Sequence, residues 1–114
     1  MNARRLLLIA FAINVLSAVS PKSYAQPFGP TVPVQGQVFS RSVNGPAPGL
    51  TVFLVHKVIG RSAPSFTDAN GRFGWIAIPV SVQPYFLELY WGQNLIYRQP
   101  IQVTSPTTLP TIIL

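Results

Sequence analysis

Proline and glycine cut this chain into short pieces. It holds 12 Pro and 8 Gly among 114 residues, and from Pro27 onward they recur every few positions. Proline locks φ and has no N–H to give a helix, and each glycine costs a helix about 1 kcal/mol relative to alanine. That punctuation excludes a helix bundle. What lies between the breaks is β-branched and aromatic: Val34–Ser40, Leu50–Ile59, Arg72–Ile78, Tyr85–Trp91, Leu95–Val103 and Thr111–Leu114. Such runs, bounded by turn residues and without an apolar 3.6-residue period, predict strands. The expected fold is all-β, a sandwich of about seven strands with Greek-key connections.

The shorter segments are read in the same way. Ser65–Thr67 follows Pro64 and predicts an edge strand, which should pair with Arg72–Ile78 as a hairpin over residues 65–78. Its turn is Asp68-Ala-Asn70-Gly71, in which the Asp side chain can bond backbone two residues on and Asn-Gly accepts positive φ. Pro79 and Pro84 should bracket a loop, and Pro100 should interrupt the strand over 95–103. Alternation then assigns Val38, Val52, Leu54, Phe73, Trp75, Leu87, Leu89, Ile101 and Val103 to the core.

The N-terminus has a different character. Met1–Arg5 is basic, Leu6–Val19 is apolar except for Asn14 and Ser17, and Ser23 and Ala25 are small residues at the positions a signal peptidase reads. This order predicts a secretory signal peptide over residues 1–25, cleaved after Ala25. An apolar run over positions 6–19 is shorter than the roughly 18–20 residues that span a bilayer, so no stable membrane span is expected after cleavage. The expected location is secreted or periplasmic. Residues 26–33, with Pro27, Pro30 and Pro33, predict an extended Pro-rich leader before a domain over 34–114.

Removing 25 of the 114 residues leaves 89, enough for one modest core. Its cations are Arg41, Lys57, Arg61, Arg72 and Arg98 against Asp68 and Glu88, a net +3 that is dispersed along the chain. Nucleic-acid sites need clustered Lys and Arg, so no nucleic-acid partner is expected. Absence of Cys excludes a disulfide framework and thiolate metal sites.

Four segments in order resemble the carboxypeptidase regulatory-like domain: Val34-Gln-Gly-Gln-Val38, Pro46-Ala-Pro-Gly-Leu-Thr-Val-Phe-Leu54, Thr67-Asp-Ala-Asn-Gly-Arg-Phe73 and Tyr85-Phe-Leu-Glu-Leu89. The resemblance covers residues 34 to about 103. It implies a transthyretin-like (prealbumin-like) sandwich, an architecture shared with carbohydrate-binding-like modules. It implies no peptidase activity, because the zinc ligands of true carboxypeptidases belong to a separate catalytic domain. Residues 74–84 depart from the family pattern, with Gln83-Pro84-Tyr85 in place of a Pro-Gly-x-Tyr approach. Hydroxyisourate hydrolases, which are transthyretin-like enzymes, need several His and a C-terminal Tyr-Arg-Gly-Ser. This sequence has one His and ends Thr-Ile-Ile-Leu.

The inventory for catalysis is small. His56 and Asp68 could serve a Ser triad, but no Gly-x-Ser-x-Gly is present, and His56 is expected as a boundary residue at a strand end. Asp68 and Glu88 could form a carboxylate pair, but Asp68 is used by its turn. A zinc site would need His56, Asp68 and Glu88 to converge. No catalytic residue, cofactor or metal is expected.

The outward faces are the unusual feature. With Val52 and Leu54 inward, Phe53 and Val55 face out; with Leu87 and Leu89 inward, Phe86 and Tyr90 face out; Ile76 and Ile78 likewise oppose Phe73 and Trp75. A solvated sheet face alternates to polar residues instead. Phe53, Val55, Ile76, Phe86 and Tyr90 therefore form a candidate partner surface, unless the leader or the C-terminal tail covers them. The expected function is a non-catalytic module that contacts another envelope or secreted protein, or itself. The alternative is carbohydrate binding through Tyr90, Trp91 and Tyr97.

Overall fold

Strand β1 (Thr31–Ser40) is the spine of one sheet in the computed structural model, which describes residues 29–114. The signal peptide at 1–25 and the leader residues 26–28 lie outside the described residues. Among the described residues there is no helix, and two five-stranded sheets carry the fold. On one side of β1 run β6 (Arg72–Pro79) and the short β2 (Gly45–Pro46), both antiparallel. On its other side run β9 (Thr107–Thr108) and β10 (Ile112–Ile113), both parallel. The second sheet is ordered β4 (Gly60–Arg61), β3 (Thr51–His56), β7 (Ser81–Trp91), β8 (Asn94–Val103), with β5 (Ser65–Phe66) also on β3.

The core lies between the sheets and follows period two. Val34 and Val38 of β1, Val52 and Leu54 of β3, Leu87 and Leu89 of β7 and Val103 of β8 are fully buried. Each contributes about 1.5–3 kcal/mol relative to an exposed side chain. Phe73 and Ile101 are buried as expected, and Trp75 is half-buried against this cluster with its indole N–H on the Ala63 carbonyl at 2.8 Å. The expected core set left out Val34, Ala47, Leu50, Tyr85 and Ile112, which are also buried; of these Tyr85 shares its inward face with Leu87 and Leu89 by period two.

Several expectations are corrected. β1 begins at Thr31, so residues 31–33 are ladder residues and not leader: Thr31 pairs with Pro79 and Val32 with Ile78. Pro33 is tolerated there because the ladder slips at that point, with Ile76 and Ala77 of β6 opposite the single Pro33. The same bulge reverses the parity of β6, so Ile78 is buried, not outward, while Ile76 is 91% exposed. Residues 65–78 are not a hairpin in the ladder sense, because β5 pairs with β3 and β6 pairs with β1. Ser65 still joins the two sheets, accepting the Gly74 N–H and donating to the Gly74 carbonyl. The segment between Pro79 and Pro84 is not a loop, since β7 already begins at Ser81. Pro100 does not interrupt β8 but pairs with Phe86 on this outermost strand, where a missing N–H costs least. In place of about seven strands, the described residues form five long strands and five two-residue ones.

Candidate functional site

β3 and β7 pair without a slip: Thr51 with Tyr90, Phe53 with Glu88, Val55 with Phe86. Each pair shares the outward face because the alternate residues, Val52, Leu54, Leu87 and Leu89, fill the core. Neighbouring strands extend the lattice. Arg61 of β4 pairs with Val55, Phe66 of β5 with Thr51, and Arg98 and Pro100 of β8 with Glu88 and Phe86. The face is therefore a patch of aromatic rings and aliphatic groups seamed by two arginines and one carboxylate.

The cations lie on the rings. The Arg61 guanidinium carbon is 3.9 Å from the Phe53 centroid and 5.9 Å from that of Tyr90. Arg98 sits 4.0 Å over Phe86. Phe53 and Tyr90 meet edge to face at 5.8 Å. Stacking of this kind leaves the in-plane N–H groups of a guanidinium free to donate. Arg98 uses its Nε to reach Glu88 Oε2 at 3.3 Å, and the Tyr90 hydroxyl donates to Glu88 Oε1 at 2.8 Å. That bond to Glu88, with burial and the carboxylate charge, holds the Tyr90 phenol above its ordinary pKa, and Arg61 opposes the shift.

Of the five candidate surface residues, Phe53, Val55, Phe86 and Tyr90 are brought together and Ile76 is not: it stands on β6, in the other sheet. The C-terminal tail does not cover the patch, because β9 and β10 pair with β1. Residues 31–33 are likewise in the β1 sheet. Phe66, 63% exposed, belongs to the patch and escaped sequence reasoning. The sequence carried no signal for it: polar Ser65 and Thr67 are the inward residues and the apolar Phe66 the outward one, the reverse of the usual alternation.

The other singled-out residues are held in structural roles. Asp68 Oδ1 accepts the N–H groups of Asn70 at 2.8 Å and Arg72 at 2.9 Å. The Arg72 amide, then that of Asn70, holds the Asp68 carboxyl below its usual pKa. Gly71 closes the turn with φ 74°, and the Asn70 carbonyl accepts from Gln37 Nε2 at 2.9 Å. His56 is buried at the end of β3. Its Nδ1 accepts the N–H groups of Val58 and Ile59 at 3.0 and 3.1 Å, which ends the strand three residues before Ile59. Nε2 is then the protonated nitrogen of the neutral ring and donates to Ser81 Oγ at 2.8 Å, the wrong sense for a base acting on that hydroxyl. Among the described residues no three His, Asp or Glu converge as metal ligands, and no helix is long and apolar enough to cross a membrane.

A second feature is a groove of about 710 Å³ at the end of the sandwich where β1 stops, lined by Val43, Pro48, Trp91, Ile96 and Leu114 among others. Ile96 reaches it as the extra residue of a bulge where Leu89 pairs with Tyr97 and Tyr90 with Leu95. The same register separates the three proposed sugar-stacking aromatics. Tyr97 packs against the core, Tyr90 lies on the outer face, and Trp91 lines the groove. Compared with known proteins, the chain matches no family model and no curated protein.

Proposed function

We propose that this chain is an exported, non-catalytic β-sandwich module that binds another envelope or secreted protein, or a second copy of itself, through the outer face of the β4-β3-β7-β8 sheet. In this reading the signal peptide is removed after Ala25, and the sandwich is a transthyretin-like, Greek-key module of the carboxypeptidase regulatory-like type that works without a cofactor. The observation that carries it is the outward lattice of Phe53, Val55, Phe66, Phe86 and Tyr90 seamed by Arg61 and Arg98. A solvated sheet face carries polar residues at these positions, whereas interfaces are enriched in aromatic residues and Arg.

The test is the double change Phe53→Ser, Phe86→Ser. The variant is expected to keep its urea midpoint close to that of the parent and to lose capture of partners from the native envelope or secreted fraction, or self-association in sedimentation. A collapsed midpoint in a protein that sediments as a monomer would make these rings part of the fold and end the proposal. Mass analysis of the exported chain should show Gln26 first; retention of Met1 would overturn the export reading. Carbohydrate binding stays as a second reading because Trp91, 60% exposed, lines an open groove with Ser40 and Ser42 at its wall. Quenching of Trp91 fluorescence by a saccharide panel, absent in Trp91→Ala, would favour it.

A further inference from the structure

The outer face contains one completed arrangement and one incomplete copy of it. In the first, Arg98 lies on the Phe86 ring and its Nε reaches the Glu88 carboxylate. In the second, Arg61 lies on the Phe53 ring at nearly the same height, with Tyr90 beside it, and no carboxylate. The chain cannot supply the missing group from a side chain. It has two acidic residues; Asp68 is engaged by its turn, and Glu88 already takes Arg98 and the Tyr90 hydroxyl. Thr51, Gly92 and Gln93 surround the Arg61, Phe53 and Tyr90 cluster to form a shallow pocket of about 310 Å³.

We propose that Arg61 is an anchor for an acidic side chain of the protein partner, a Glu or Asp received in the pocket formed by Thr51, Phe53, Tyr90 and Gln93. The inference rests on the interface reading above and deepens it by giving the partner's chemistry. Stacking on Phe53 limits the conformations of the long arginine side chain before binding, so less entropy is lost when its planar fork meets a carboxylate. The apolar rings around it lower the local dielectric and strengthen that contact as the partner excludes water. The patch itself carries Arg61 and Arg98 against the single Glu88, so its local charge favours an acidic partner.

Hexaglutamate is the probe, titrated into the purified chain and followed by NMR at the Arg61 Nε–H and at the Phe53 and Tyr90 ring protons, with hexaglutamine as the neutral control. Saturable shifts at these three residues are expected, absent with hexaglutamine and weakened by salt. Arg61→Gln should bind roughly threefold more weakly or worse, Arg61→Lys should fall between, and Arg41→Gln should leave the affinity unchanged. Unchanged thermal midpoints establish that all three variants are folded. Equal effects of Arg41→Gln and Arg61→Gln, or shifts spread over all the cations, would overturn the anchor. So would a sulfated oligosaccharide or an anionic vesicle that shifts Arg61 where hexaglutamate does not. In partner capture, loss by Phe53→Ser, Phe86→Ser with full retention by Arg61→Gln refutes the anchor and keeps the interface. Retention by both refutes the interface itself.

Discussion

The amide of Val38 donates to the carbonyl of Gly71 at 2.8 Å, while the Val38 carbonyl accepts the N–H of Ala47 at 3.1 Å. Gly71 thus sits where β6 gives way to β2 along one side of β1. A Cβ there would run into the Val38 carbonyl oxygen and come within 3.2 Å of Ala47 N, on a backbone already at φ 74°. Gly71→Ala should therefore cost about 2–5 kcal/mol, left-handed strain added to the collision. Gly60 has φ 101° but open space around it, so Gly60→Ala should cost only about 1–2 kcal/mol. Urea midpoints measure both, and equal small losses would show that Gly71 does not brace this junction.

Gly36 is required by packing, not by its backbone angle. A Cβ on it would lie 2.5 Å from Cζ of Phe73, whose ring fills the space above β1. Gly36→Ala should lose about 1–3 kcal/mol through displacement of that ring. In a Phe73→Leu background the same Gly36→Ala change should cost less, a coupling that a double-mutant cycle reads directly. Strictly additive losses would show that the ring is not what excludes a side chain at Gly36.

His56→Phe preserves bulk beside Tyr85, whose ring lies 4.9 Å away, but removes the acceptor for two backbone N–H groups and the donor to Ser81. The loss should be about 1–3 kcal/mol, the cost of leaving partly buried polar groups unmet. Hydrogen exchange at the Val58 and Ile59 amides should accelerate; unchanged protection would mean that another group ends this strand.

Asp68 makes stability depend on acid. Its carboxyl pKa is lower in the folded chain than in the unfolded one, so its contribution is present above the unfolded value near 3.8 and is lost as pH falls through the folded value. The urea midpoint should drop on going from neutral pH to below that window, and Asp68→Ala should flatten the drop. A variant with the parent's full acid dependence would place the effect in Glu88 or elsewhere.

Ile76 supplies the control for the surface. It is 91% exposed and stands in the other sheet, so Ile76→Ser should change stability by less than about 0.5 kcal/mol. It should also leave partner capture intact. Loss of capture would move the interface to β6.

Features carried within one segment are legible in the sequence. Asp68 and Gly71 close a turn through atoms two to four residues apart, so their chemistry is written in the local order. Strand parity can be read for β3 and β7 because their ladder has no slip, and Val52, Leu54, Leu87 and Leu89 are all fully buried. For β6 the same reading fails at Ile78, because Ile76 and Ala77 bulge opposite the single Pro33, a slip that exists only in the pairing of β6 with β1.

The all-β character, the Asp68–Gly71 turn and the inward set of each unslipped strand are thus determined by the sequence alone, since torsional preference and period two act over a few residues. Only the tertiary structure decided that β5 joins β3 and not β6, that Ile76 leaves the patch and Phe66 enters it, and that Arg61 and Arg98 lie on Phe53 and Phe86. Those outcomes depend on register between distant strands, where a slip of one residue turns a side chain to the opposite face.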